Sequence, residues 1–180
     1  MDAMPKDVSV VRSVSDRYRR WFEYEKDAHI KVLASLDAVP AANRSLPAYE
    51  KAITLMAHIM AARQLWLFRF GAGARKPCDF FPTGLSLPDV VGQVEEIHVA
   101  WSRFLGPLTD ADLSTSFEYE SLDAGWFRST VEDILAQLFT HSSYYRGQIA
   151  SLVRAAGGEP AVTDFVFWTR EPIKKEPGSR

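Results

Sequence analysis

Four segments of the chain carry apolar residues at helical spacing. The first runs from about Ser13 to Ala38, places Phe22, His29, Leu33 and Leu36 on one face, and stops at Val39-Pro40. The second opens at Leu46-Pro47-Ala48, where Pro47 suits a first helical turn. It continues through Ile53, Met56, Ile59, Met60 and Trp66 to Gly71-Ala72-Gly73. The third starts near Ser86-Leu87-Pro88-Asp89, carries Val90, Val94, Ile97 and Trp101, and ends at Gly106-Pro107. The fourth runs from about Thr130 to Ala156, and Gly157-Gly158 terminates it. Its stripe reads Ile134, Leu138, His141, Tyr145, Gln148 and Leu152.

Between the third and fourth segments the period changes. Ser114-Thr115-Ser116-Phe117-Glu118-Tyr119-Glu120 alternates around Phe117 and Tyr119, Asp123-Ala124-Gly125 is a turn signal, and Trp126-Phe127 follow. This pattern predicts a short β-hairpin or an extended segment. The connection from Gly71 to Gly84 is long and rich in Gly and Pro. The expectation is an all-α fold, a four-helix bundle with a short β-hairpin or extended segment between helices three and four. One domain spans residues 1–170, and a charged flexible tail covers residues 171–180.

Composition narrows the function classes. The chain has 180 residues, 47% of them hydrophobic and 24% charged, so a single domain has enough apolar material for a real core. A net charge of −2 gives no electrostatic footprint for nucleic acid. The basic run Arg17 to Arg20 is flanked by Asp16 and Glu23 and reads as a solvated helix face. Met1-Asp2-Ala3-Met4-Pro5-Lys6-Asp7 lacks the apolar core of a signal peptide, and no apolar run approaches a membrane span. A single cysteine, Cys78, cannot form an internal disulfide, so a reducing, cytoplasmic setting is expected. Cys78 reads as an incidental loop thiol rather than as a nucleophile beside Lys76.

The residues with chemical potential sit on helical faces. His141 and Tyr145 are one turn apart, the spacing of a metal clip with its second position changed. His58 shares a face of the second helix with Leu55, Ala62 and Leu65, so it and His141 can meet in a bundle core. Neutral imidazoles are good ligands for zinc, nickel and iron, but a catalytic zinc takes three protein ligands plus water. Tyr145 is the open question, since a phenol with a pKa near ~10 ligates poorly at neutral pH. It ligates as tyrosinate, hydrogen-bonds a metal-bound water, or fills the space of a ligand. His29 is a candidate compensating ligand. His98 belongs to one Glu95-x-x-His98 motif with no second copy, which argues against a di-iron site. Gln148, one turn beyond Tyr145, suits a ligand-orienting or substrate-binding role. Arg146 is assigned to a different face, in a salt bridge or at a helix terminus.

The ordered set of these features resembles the DinB-like (DinB/YfiT) metal-binding four-helix proteins. Tyr24 to Leu33 is similar to that family's opening helix, and the segment from His58 to Trp66 resembles its first-histidine helix. His141 to Gln148 resembles its His-x-x-x-His-Arg-Gly-Gln segment, and Gly157-Gly158-Glu159-Pro160, Asp164 and Trp168 resemble its ending. The resemblance implies an up-down-down-up bundle with a long crossover between helices two and three. It also implies homodimers and a divalent metal (nickel, zinc or manganese) held by three histidines. His58 and His141 match two of those ligands, and Tyr145 stands where the third belongs. Two functions follow. One is a metal-dependent thiol transferase or hydrolase acting on a small-molecule substrate such as a low-molecular-weight thiol, with His58, His141 and Tyr145 as metal site, Tyr145 and Gln148 as catalytic residues, and Glu95 and the hairpin aromatics lining the pocket. The other is a metal-free bundle that binds a small ligand or a protein partner. Neither involves nucleic acid or a membrane.

Overall fold

The computed structural model of the protein describes residues 13–73, 75–121 and 124–172. Met1–Asp7, Asp123 of the expected turn, and the expected tail from residue 173 onward lie outside the described residues. Helices α1 (Val14–Asp37), α2 (Pro47–Arg69), α3 (Leu87–Leu105) and α5 (Val131–Ala155) form the bundle. A 3-10 turn at Ala41–Asn43 and two short helices, α4 (Asp110–Leu113) and α6 (Phe165–Thr169), were not signalled by periodicity. The hairpin is real: β1 (Ser116–Glu120) pairs antiparallel with β2 (Trp126–Thr130), with Phe117 opposite Ser129 and Tyr119 opposite Phe127.

The helix ends follow their local chemistry. Ser86 and Asp89 form a capping box on α3, and Thr130 and Asp133 form one on α5. Ser13 accepts from the Asp16 amide, and the Asp110 carboxylate takes the Val14 and Ser15 amides at 3.1 and 2.9 Å, which ties α4 to the start of α1. At the far end of α5 the Gly158 amide bonds the Val153 carbonyl and the Gly157 amide bonds that of Arg154, a Schellman arrangement. Gly157 has φ +77, and a Cβ there would meet Asn43 Nδ2 at 2.9 Å, so both backbone and space call for glycine.

Two apolar clusters fix the helix directions. One holds Tyr18 and Phe22 of α1, Leu67 of α2, Trp101 and Leu105 of α3, and Ile134, Leu135 and Leu138 of α5. The other holds Val32 and Leu36 of α1, Ile53 and Met56 of α2, Val90 and Val94 of α3, and Ile149 and Val153 of α5. So α1 and α5 run from the first cluster to the second, while α2 and α3 run back, an up-down-down-up order. The parallel pair α2 and α3 requires the long connection between them. α2 packs on α3 and α5, α1 packs on the same two helices, and α1 and α2 lie mostly across the diagonal. Every residue of α2 from Ala52 to Ala61 is buried, so this helix is the bundle's most enclosed.

A polar layer separates the two clusters. Glu25 of α1 is 0% exposed, Arg63 of α2 is 2% exposed and Arg146 of α5 is 5% exposed. Arg63 Nη2 donates to Glu25 Oε2, and Arg146 Nη1 stands 3.9 Å from Glu25 Oε1. Arg146 also donates to Ser142 Oγ at 2.8 Å and to the Tyr24 hydroxyl at 2.9 Å. The Arg63 guanidinium lies against the rings of Phe22, Trp101 and Phe139, and its carbonyl accepts from Trp101 Nε1 at 3.2 Å. Arg146 thus lies on a different face from His141 and Tyr145 and in an ion pair, as expected, but that face is the core. The fourth helix is rotated by one position from the expected stripe: Leu135, Leu138, Ser142, Arg146, Ile149 and Val153 are buried, whereas His141, Tyr145, Gln148 and Leu152 are half-buried.

Two arginines of the basic run of α1 turn onto the protein, while Arg17 is exposed. Arg19 donates to the carbonyls of Leu105 and Leu108 and pairs with Asp16, and Arg20 lies over the rings of Phe165 and Trp168. Among the described residues no helix is long and apolar enough to cross a membrane. Glu25→Ala leaves two buried guanidinium groups uncompensated, so it is expected to cost about 3–5 kcal/mol. Urea denaturation checks this, and the triple replacement Glu25→Leu/Arg63→Met/Arg146→Met should be less destabilising than Glu25→Ala alone.

Candidate functional site

The central site is a pair of imidazoles between α2 and α5. His58 Nε2 lies 3.1 Å from His141 Nε2. His58 Nδ1 lies 2.6 Å from the carbonyl oxygen of Phe80, in the α2–α3 connection. That connection is held by an Asx-type turn, in which the Phe81 amide bonds Asp79 Oδ1 at 2.9 Å. The turn lets Phe81 stack flat on His58, ring centres 3.9 Å apart and planes 6° from parallel. Tyr145 closes the other side, 4.4 Å from the His58 ring and 4.7 Å from the His141 ring. The structure thus brings His58, His141 and Tyr145 together.

Hydrogen-bond accounting assigns the tautomers. A carbonyl only accepts, so His58 carries its proton on Nδ1 and presents a bare Nε2. His141 then donates from Nε2 to His58, and His141 Nδ1 is a bare acceptor. That atom is buried and has no hydrogen-bond partner. Both rings are neutral near pH 7. Burial and the nearby Lys51 hold His58 below the usual histidine range, although the Phe80 carbonyl pulls the other way. Burial first, then His58 and Arg63, push His141 down to about 4.

A three-ligand metal centre does not fit this donor set. Among the described residues no cluster of three or more His, Cys, Asp or Glu side chains could hold an ion. Holding a metal on both Nε2 atoms would move the His141 proton to Nδ1, creating a buried donor with no acceptor. Leaving such a group unsatisfied costs about 1–3 kcal/mol. Ligating histidines usually donate their second nitrogen to a carbonyl or carboxylate, which holds for His58 and fails for His141. Tyr145 has neither a cation against it nor a hydrogen bond to its hydroxyl among the described residues.

The other histidines form a second pair away from this one. His29 Nδ1 lies 3.0 Å from His98 Nε2, and His29 Nε2 lies 2.9 Å from Ser142 Oγ. His29 does not join His58 and His141 as a compensating ligand. α1 faces α3 and α5, so His29 meets His98 and Ser142 while His58 faces α5 and the loop. Burial and the charges of Arg63 and Arg146 hold His29 well below its ordinary value, and burial with Arg63 and Lys26 brings His98 to about 4. Glu95 is exposed and bonds to neither pair, and the hairpin aromatics Phe117 and Tyr119 pack on Trp66 instead. Gln148 is half-buried with no hydrogen bond among the described residues.

Sequence reasoning missed Ser142, Glu25 and Phe80. The signal for Glu25 was present, since Tyr18, Phe22, Glu25, His29, Val32 and Leu36 follow one 4-3-4-3-4 spacing along α1. Phe80 acts through its carbonyl, which no side-chain pattern announces.

These features define an up-down-down-up helical bundle with an imidazole pair between its second and fourth long helices. The family model described as DinB family matches residues 11–176, and the chain belongs to that family. No curated protein and no solved structure matches the chain.

All four histidines are neutral in the fold at neutral pH, whereas in the unfolded chain each takes up a proton below about pH 6.5. The unfolded state therefore binds more protons between that value and the folded pKa values, which for His98 and His141 are about 4. Their stabilising contribution is full above about pH 6.5 and is lost as pH falls toward 4. The urea midpoint should drop between pH 7.5 and pH 5, and His98→Gln should flatten that drop.

Proposed function

We propose that this DinB-family bundle binds a small molecule at the His58–His141–Tyr145 site without a resident divalent metal. The observation that supports this reading is the hydrogen bond between the two imidazoles, which occupies the lone pair that His58 would give to an ion. The groups left open are Tyr145 and Gln148. They lie three residues apart on α5, both half-buried, and neither side chain has a hydrogen-bond partner among the described residues. A phenol and an amide in that position hold the polar end of a ligand, while the Tyr145 and Phe81 rings cover its apolar part. Phe81, which stacks on His58, also lines a cavity of about 790 Å³ together with Tyr49, Thr54 and Leu85, although none of His58, His141, Tyr145 and Gln148 lines it.

One observation favours the second reading, a metal-dependent thiol transferase or hydrolase using a low-molecular-weight thiol. The Nε2 separation of 3.1 Å is close to the ~3.3 Å between two nitrogens bound at ~2.0–2.1 Å to one tetrahedral ion. Metal content separates the two readings. Untagged protein incubated with nickel, zinc or manganese and then gel-filtered is expected to keep far less than one ion per chain by elemental analysis. Tyr145→His restores a third imidazole and should raise retention toward stoichiometry. Stoichiometric metal in the unaltered protein would favour the second reading.

A further inference from the structure

A separate cleft lies on the α3 side of α2, away from the imidazole pair, so what it binds does not depend on the metal question. α2 and α3 run parallel here, and small side chains leave room between them: Ala57 and Ala61 on α2 and Ala100 on α3 line the cleft, with Met60 and Ile97 beside them. Arg75 to Asp79 and Pro82 of the loop line the other side of this half-open groove. Its volume is about 410 Å³, within the ~300–1,000 Å³ of small-molecule sites.

The mouth carries both signs of charge. Arg75 and Lys76 stand on the loop, and Glu96 stands on α3. None of the three has an ion pair or hydrogen bond among the described residues. Asp79, also at the mouth, is engaged by the Phe81 amide. A simple anion in this cleft would face Glu96, and a simple cation would face Arg75 and Lys76. A ligand with both charges and an apolar body satisfies all three groups and the alanine lining at once.

We propose that the cleft between α2, α3 and the loop from Arg75 to Pro82 binds a small zwitterion, a molecule of the α-amino-acid type with an apolar side chain. Its carboxylate meets Arg75 and Lys76, its ammonium meets Glu96, and its side chain lies on Ala57, Ala61 and Ala100.

Cys78 lines the same cleft, is exposed, and is the chain's single cysteine, so its alkylation rate reports occupancy directly. The full-length protein is treated with iodoacetamide in the presence of L-leucine, of 4-methylpentanoate, which lacks the ammonium, or of isoamylamine, which lacks the carboxylate. L-leucine is expected to slow alkylation severalfold, with half-protection at concentrations at least about tenfold lower than either analogue, a difference of about 1.4 kcal/mol. Glu96→Gln should abolish the preference for L-leucine over 4-methylpentanoate, and Arg75→Ala/Lys76→Ala should abolish its preference over isoamylamine. These positions are exposed, so the variants retain the fold, which circular dichroism checks. Absence of protection by L-leucine at millimolar concentration, equal protection by all three probes, or an unchanged preference in the variants overturns the proposal.

Discussion

A buried carboxylate held between two guanidinium groups is the constraint on which the rest of the bundle depends. Glu25 comes from α1, Arg63 from α2 and Arg146 from α5, and Trp101 of α3 bonds the Arg63 carbonyl. Two apolar clusters lie on either side of this layer. Apolar faces alone tolerate sliding and rotation, because one leucine replaces another at small cost. A buried charge tolerates neither, because a displaced partner leaves an ion without compensation. Aromatic faces flank Arg63 and hydroxyls bond Arg146, while Nε of each arginine and Oε1 of Glu25 have no hydrogen-bond partner among the described residues. In this account the ionic layer sets the rotation of α5, and the rotation of α5 sets the site.

The link runs through one residue. Ser142 points inward and is held by both His29 and Arg146. Its neighbour His141 is then turned by about 100° toward α2, where it meets His58. Tyr145, one turn later, follows His141 onto the same boundary face. The loop between α2 and α3 supplies the remaining wall, with the Phe80 carbonyl fixing the His58 tautomer and Phe81 covering its ring. The result is a site whose two imidazoles bond through their Nε2 atoms and leave His141 Nδ1 open. In this chain the polar pair stands beside an open phenol and an open amide.

Much of the fold was legible in the sequence because it depends on periodicity and end signals. Pro47, the Ser86/Asp89 and Thr130/Asp133 boxes and Gly157-Gly158 place the long helices within a residue or two, and the alternation around Phe117 and Tyr119 finds the hairpin. The pairing of His58 with His141 and Tyr145 was legible too, from helical faces together with the family resemblance. The rotation of α5 was not. Its expected stripe through His141 and Tyr145 is only one residue from the true core stripe through Ser142 and Arg146, and a serine and an arginine do not look like core residues until Glu25 is known to be opposite. The same blindness applied to α1, where Glu25 and His29 occupy the middle of an otherwise apolar 4-3-4-3-4 pattern. His29 faces inward as its spacing predicts, yet it meets His98 and Ser142 rather than His58 and His141, because helical periodicity gives a residue's face and not which neighbouring helix it meets.

The central claim is that His58 and His141 bond to each other as neutral imidazoles, and nitrogen-resolved NMR of the imidazole rings tests it most directly. The spectrum is recorded at neutral pH on protein supplied with zinc. The account predicts His58 protonated on Nδ1 and His141 protonated on Nε2, with no change on adding the metal. Both rings protonated on Nδ1, with both Nε2 atoms shifted by added zinc, would contradict it.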